Sequence, residues 1–274
     1  MTVMHFERDG RRLAADLADP LPIAIPLGFA GPQPGFHGAP RAEAVPLRAG
    51  GFVGDTREGG SCNCEQITLV PHCNGTHTEC VGHLTDDRVS VAETLRGGMH
   101  LALLVSVRPV AAGSTAETSD PAPGADDQLI TAAALAAGLA AHPTLTPQAL
   151  VIRTLPNSVD RMSHQYTGRA PAPYLTREAA EWLVGHGIEH LVLDVPSADR
   201  SDDQGRLTAH RVFFGLAPGS RRASEARRPQ ATITELAFIA PMIRDGWYLL
   251  DLQFPAFLAD AAPSRPILYP VRFE

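Results

Sequence analysis

The stretch Pro71–Leu84, PHCNGTHTECVGHL, carries three histidines, two cysteines and a glutamate in fourteen residues. If it runs extended, residues two apart share a face. Cys73, His77 and Glu79 then project to one side and His72 to the other. A thiolate, an imidazole and a carboxylate meeting at one point form a coordination shell for a borderline divalent metal such as zinc or manganese. Gly75 between them permits a turn or a close backbone approach. His83, just past Gly82, reaches the same point as a base and not as a ligand. The plain alternative, a strand with scattered polar residues, has no need of so many metal-capable side chains.

The composition bounds what such a site could serve. The chain has 274 residues, 44% hydrophobic and 19% charged, ample for a sizeable core. Its net charge of -7 leaves no basic surplus to neutralise phosphates, so no nucleic-acid partner is expected. The one basic cluster, Arg221–Arg228 (RRASEARR), reads as a solvated loop. No apolar run reaches membrane-spanning length, and the start MTVMHFERDG lacks the apolar core of a signal peptide. A cytoplasmic protein without a membrane partner is the expectation. The four cysteines, Cys62, Cys64, Cys73 and Cys80, crowd one region instead of dispersing as structural disulfides do, and are expected to be reduced. A zinc knuckle made of these four has poor spacing, because one residue separates the first pair where two to four are usual.

The elements that must position these residues alternate. Met1–Pro40 is broken by Pro and Gly, with a possible edge strand at Asp16–Leu27 and a loop at Gly28–Pro40 that could border the site through Phe29 and Phe36. Cys64–Val70 is a β-rich run that delivers the chain to the motif, and Ser90–Leu95 a weak helix or turn. His100–Val107 is a buried strand, Ser114–Asp127 an insertion loop, Thr131–Leu139 an alanine-rich helix and Ala149–Thr154 another strand. Thr176 caps a helix over Arg177–His186, ended by Gly187, and His190–Val195 follows as a strand. Strands are expected again in Trp247–Phe254 and Ile267–Val271. This rhythm predicts one β-rich α/β domain spanning residues 1–274. Its loop-rich residues 1–60 are expected to contribute to the pocket or to dimer contacts.

Gly75–His77 with Glu79 and His83 resembles the signature His-x-Gly-Thr-His-x-Asp-x-Pro-x-His of the cyclase superfamily, which includes bacterial kynurenine formamidases and isatin hydrolases. The resemblance continues through Tyr174–Leu183, Asp194–Asp199 (DVPSAD), Ala209–His210, Thr234–Leu236 and Asp260–Arg265 (DAAPSR), and so covers most of the chain. It implies a swivelling β/α/β fold and metal-dependent hydrolysis of an amide or lactam. By position it makes Cys73, His77, Glu79, His210 and Glu235 metal ligands, for one or two Zn2+ or Mn2+ ions, and His83 the catalytic group. A homodimer acting on a small-molecule substrate, with a place in tryptophan catabolism, is the corresponding expectation.

Three departures from the signature stand out. Cys73 replaces the first histidine, with His72 one position early. Glu79 replaces the aspartate, and Val81 the proline. Cys73 as thiolate ligand, Cys73 displaced by His72, and loss of metal all remain open at this level. A soft sulfur would favour zinc over manganese. A metal-dependent hydrolase opening a C–N bond in a small aromatic or cyclic amide is the leading reading, and a non-hydrolytic metal- or ligand-binding relative is the alternative. Beyond the motif, His164, Tyr166 and Arg169 share an irregular stretch where Arg169 could meet a substrate carboxylate or carbonyl. Asp194 and Asp199 read as organisers of a strand-end turn, and Trp182 and Trp247 as core.

Overall fold

The central strand, Met99–Val107, is an apolar nine-residue run that is buried along almost its whole length. Residues alternate across a strand, so Leu101, Leu103, Val105 and Val107 enter one core while Ala102 and Leu104 enter another on the opposite face. In the computed structural model, which describes residues 2–95, 97–142, 145–167 and 172–274, this strand lies inside an 11-stranded mixed sheet. Met99–Val107, Ala149–Thr154, His190–Leu193 and Thr232–Glu235 run parallel in that order. The helices Ala132–Ala140, Arg177–Gly185 and Thr208–Phe214 connect them in sequence. Parallel pairs need such crossovers. All three helices pack on the same face, inserting Leu135, Ala179, Leu183, Phe213 and Phe214 into the first core. The other face is covered by irregular segments that contribute Ile23, Ile239 and Ile243. The fold is thus α/β, with one large mixed sheet, few helices and several small satellite sheets.

Beyond the parallel core the sheet continues antiparallel on both sides. On one side follow Gly246–Asp251, Ile267–Phe273, Arg11–Asp16 and Val3–Arg8. On the other, His77–Glu79 adds antiparallel to Thr232–Glu235, and Ala261–Pro263 closes the edge. Of the edge strand expected at Asp16–Leu27, Leu21–Pro22 alone pairs with the sheet beyond Asp16 itself. The true edge is the Val3–Asp16 hairpin, which turns through Asp9 and Gly10, both at positive φ. An Asp-Gly pair is the turn chemistry a tight hairpin demands, so the signal stood in the sequence.

Caps follow the sequence closely. Thr131 and Thr176 accept from the amides of Ala134 and Ala179, and Gly187 and Gly215 sit at positive φ behind their helices. One local expectation fails. Pro71–Asn74 is a single helical turn, not extended chain. Pro71 starts it at a position that needs no amide, and the Asn74 side chain closes it by accepting from Val70 N at 2.6 Å and donating to the Pro40 carbonyl at 2.9 Å. Gly75 is extended, at φ 170°, with open space where a Cβ would sit. The glycine the site does require is Gly82, where a Cβ would lie 1.9 Å from the Val89 carbonyl oxygen.

Candidate metal centre

Register sets the first three residues. His77 lies opposite Glu235, and Glu79 opposite Ile233. Directly opposed residues of an antiparallel pair share a face, so His77, Glu79 and Glu235 emerge together on the helix side, where Ile233 joins the core. Thr78 and Thr234 point the other way and their hydroxyls bond at 2.8 Å. His210 comes down onto the same point from the Thr208–Phe214 helix. Its Nε2 lies 2.8 Å from Glu79 Oε1 and 3.5 Å from Glu235 Oε1. His77 Nε2 stands 3.5 Å from Glu235 Oε2.

His72 completes the group because the chain turns at Pro71–Asn74. The turn carries His72 Nδ1 to 3.0 Å from Glu79 Oε2. It also removes the premise that set Cys73 beside His77 and His72 opposite. Ligand atoms close enough to share an ion form three overlapping sets: His72, His77 and Glu79; Glu79, His83 and His210; and His72, His83 and Asp260. Cys73 belongs to none of them; Glu235 is outside them as well, but its oxygens lie 3.5 Å from His77 Nε2 and from His210 Nε2. Cys73 is buried, and burial foremost, then the charge of Glu235, raises its thiol pKa. The zinc knuckle does not form either: no cysteine belongs to a ligand set among the described residues, and Cys62 is exposed while Cys73 and Cys80 are buried.

Each inward histidine is oriented from behind. His77 Nδ1 donates to the Gly75 carbonyl at 3.0 Å, His210 Nδ1 to Asp199 Oδ2 at 2.7 Å, and His72 Nε2 to Asp260 Oδ2 at 2.9 Å. With one nitrogen committed as a donor, the other faces inward, and on deprotonation it offers the lone pair of a metal-ligating imidazole. Asp199 also accepts from the Ala209 and His210 amides, so it fixes the helix start and the ring together. Glu235 is held by the Ala198 amide at 2.7 Å. Asp260 additionally faces His83 Nδ1 at 3.3 Å, and the His72 and His83 rings stack with centroids 4.2 Å apart. His83 Nε2 lies 3.9 Å from Glu79 Oε2.

The electrostatics are those of a site built around positive charge. Burial by itself would raise the Glu79 carboxyl, but His83 and His210 outweigh it and hold the group well below the usual range. Burial opposes charge on His72, yet its bonds to Asp260 and Glu79 lift it to about 10. His77 Nε2, His210 Nε2 and both Glu79 oxygens are buried and none makes a well-aligned hydrogen bond, although His210 Nε2 and His72 Nδ1 stand 2.8 and 3.0 Å from the Glu79 oxygens. Unsatisfied buried polar atoms are rare and need an explanation. A divalent cation supplies one, because all four are lone-pair acceptors converging on one another.

The sequence signals thus place His77, Glu79, His83, His210 and Glu235 within one cluster. Asp260 and Asp199 are the residues whose roles the sequence missed: each lies in a segment singled out above, but neither has a ligand's spacing. Arg169 lies outside the described residues. His164 packs edge-on against Tyr166, whose hydroxyl burial pushes up to about 12.

A family model described as "Putative cyclase" matches residues 14–200. No curated protein matches the chain. Among solved structures, isatin hydrolase A from Labrenzia aggregata bound to benzyl benzoate is similar with a TM-score of 0.64 at 13% identity, over 92% of this chain and 93% of that one. An isatin hydrolase bound to the product analogue thioisatinate gives 0.62 at 14%, over 93% of each chain. A Bacillus stearothermophilus protein described as a predicted metal-dependent hydrolase gives 0.56 at 14%, over 92% of this chain and 98% of that one. At such identities the likeness carries the fold. The family match takes in His72 through Asp199 and stops short of His210, Glu235 and Asp260, which the folded chain itself brings to the cluster.

Proposed function

The chain belongs to the cyclase family, and on that premise we propose that it is a metal-dependent hydrolase that opens the C–N bond of a small aromatic or cyclic amide. The observation that carries the reading is the convergence of buried His77 Nε2, His210 Nε2 and Glu79 oxygens, none of them in a well-aligned hydrogen bond. His77, Glu79, His210 and Glu235 hold the metal, and His72 takes the first ligand position in place of Cys73. Without sulfur the donors are imidazole and carboxylate, a set that suits Zn2+ and Mn2+ alike, as one ion or two. A bound divalent ion supplies Lewis-acid polarisation of a carbonyl and acidification of water.

His83 is the proton carrier in this reading. Its Nδ1 is directed to Asp260, which leaves Nε2, facing Glu79, to take up a proton and return it to the departing nitrogen. Asp260 is its positioning residue and stabilises the charged ring. His83 and Asp260 are both partly exposed, so the cluster meets solvent on their side.

A cavity of about 540 Å³ has none of the candidate ligands in its lining. It abuts them through Pro71, Asn74, Gly75 and Thr76 and is walled by Ile25, Leu27, Met162 and Phe238, an apolar lining. The chemistry sits at the histidine cluster, and the cavity beside it suits the apolar body of a substrate.

The test is a panel of N-formylanilines and lactams, isatin included, given to protein loaded with Zn2+ or Mn2+. Turnover that falls by about 10²–10⁴ in His83→Ala, with metal content unchanged, supports the proposal. Stoichiometric metal with no turnover of any panel member would shift the assignment to a non-hydrolytic binding relative.

A further inference from the structure

We propose that the cleft bounded by Arg177, Arg206, Arg211 and Arg221 is a second ligand site, which binds a small polyanion such as pyrophosphate. These four arginines line one cavity of about 300 Å³, and Asp120 is the one acidic residue in its lining. In a chain of net charge -7, surface cations ordinarily find carboxylates. Here Arg177, Arg206 and Arg211 make no ion pair among the described residues, and Arg221 alone has one, to Asp86 at 2.9 Å.

Arg211 is preorganised. Its Nε donates to the Arg206 carbonyl at 3.1 Å, and its Nη1 to the Ala217 and Ser220 carbonyls at 3.1 and 2.9 Å. Three backbone oxygens fix the plane of the guanidinium without cancelling its charge, and Nη2 makes no hydrogen bond among the described residues. A planar fork held ready is what bidentate recognition of phosphate or carboxylate uses. Burial and then the neighbouring Arg221 lower the Arg211 pKa, consistent with cations massed without counter-charge.

The cleft is distinct from the metal centre, although one helix serves both. Thr208 and Arg211 line the arginine cavity, while His210 between them faces Glu79 on the buried side. The basic stretch Arg221–Arg228 is not one solvated loop. Arg221 borders this cleft while pairing with Asp86, and Arg222 pairs with Glu225. Arg228 turns inward, donating to the Phe213 and Ile188 carbonyls with its guanidinium 4.5 Å over the Phe213 ring.

The experiment is calorimetric titration with sodium pyrophosphate at ionic strength held constant with NaCl, on three proteins: the parent, the double variant Arg177→Gln/Arg206→Gln, and His77→Ala. Neither arginine belongs to the metal centre, and thermal unfolding of the unliganded proteins verifies folding. The expected result is saturable binding to the parent, undiminished in His77→Ala and at least about tenfold weaker in the double variant, the scale of lost charge-assisted hydrogen bonds. Absence of saturable binding overturns the proposal, as does a folded double variant that binds like the parent. Loss of binding in His77→Ala also overturns it, because the anion then sits on the metal.

Discussion

Asp199 accepts a hydrogen bond from His210 Nδ1 at 2.7 Å, and that bond turns His210 Nε2 to within 2.8 Å of Glu79 Oε1. The carboxylate thereby sets both the tautomer and the angle of an inward imidazole. Asparagine at this position keeps an oxygen for the Ala209 amide and loses the second acceptor. Asp199→Asn is expected to weaken metal binding about 10- to 100-fold, the usual cost of removing such a partner. Competition with a chelator of known affinity measures it, and an unchanged Kd would remove Asp199 from the account.

The first ligand position separates two side chains adjacent in sequence. His72→Ala is expected to lower metal affinity by at least about tenfold, while Cys73→Ser leaves it within about threefold, because the Cys73 sulfur stands in none of the ligand sets and His72 stands in two of them. The reverse pattern would restore Cys73 and mean that the Pro71–Asn74 turn misplaces the ring.

How far this site could be read in advance depended on local conformation. The His77–Glu79 pair obeys strand alternation, so spacing alone placed both on one face. His210 and Glu235 had no spacing to announce them, and the resemblance supplied them. His72 was misjudged because alternation was extended through Pro71–Asn74, where a proline at the first helical position and an asparagine reaching back to Val70 make a turn. Asp260 could not be found by pattern. It meets His72 and His83 only once the strand Ala261–Pro263 pairs with His77–Glu79, a contact between residues 188 and 177 positions apart. The strands Met99–Val107, Ala149–Thr154 and His190–Leu193 and the capped helices Ala132–Ala140 and Arg177–Gly185 were legible because burial writes continuous apolar runs. The strand Thr232–Glu235, by contrast, alternates Thr with other residues, and the helix Thr208–Phe214 has no side-chain cap to announce it.

Gly82 should be irreplaceable for a steric reason. A methyl group there meets the Val89 carbonyl, which also accepts from Cys80 Sγ at 3.4 Å, so backbone and not a flexible side chain must yield. Gly82→Ala is expected to cost about 1–3 kcal/mol of stability and to displace the adjacent His83. Urea unfolding measures the first and the turnover of a panel substrate the second. A variant matching the parent in both would show that the loop accommodates the methyl.

Acid stability should report His190. The ring is buried, bonds Thr232 Oγ1 at 2.9 Å and lies 4.0 Å from the His100 ring. Burial, then His100 and Arg228, depress its pKa to about 3, against about 6.5 in an unfolded chain. The unfolded state therefore binds this proton first, and stability falls as pH drops from about 6.5 toward about 3. His190→Gln is expected to flatten that part of the Tm–pH curve. An identical slope in the variant would mean that other groups govern acid unfolding.

Metal content tests the central claim most directly. Elemental mass spectrometry on the purified protein, with His77→Ala and Glu79→Gln beside it, is predicted to find about one or two equivalents of zinc or manganese per parent chain. Both variants should lose most of it, because each removes a buried lone-pair donor from the cluster. A parent that takes up neither metal after reloading, or variants that keep its full stoichiometry, would contradict the metal centre described above.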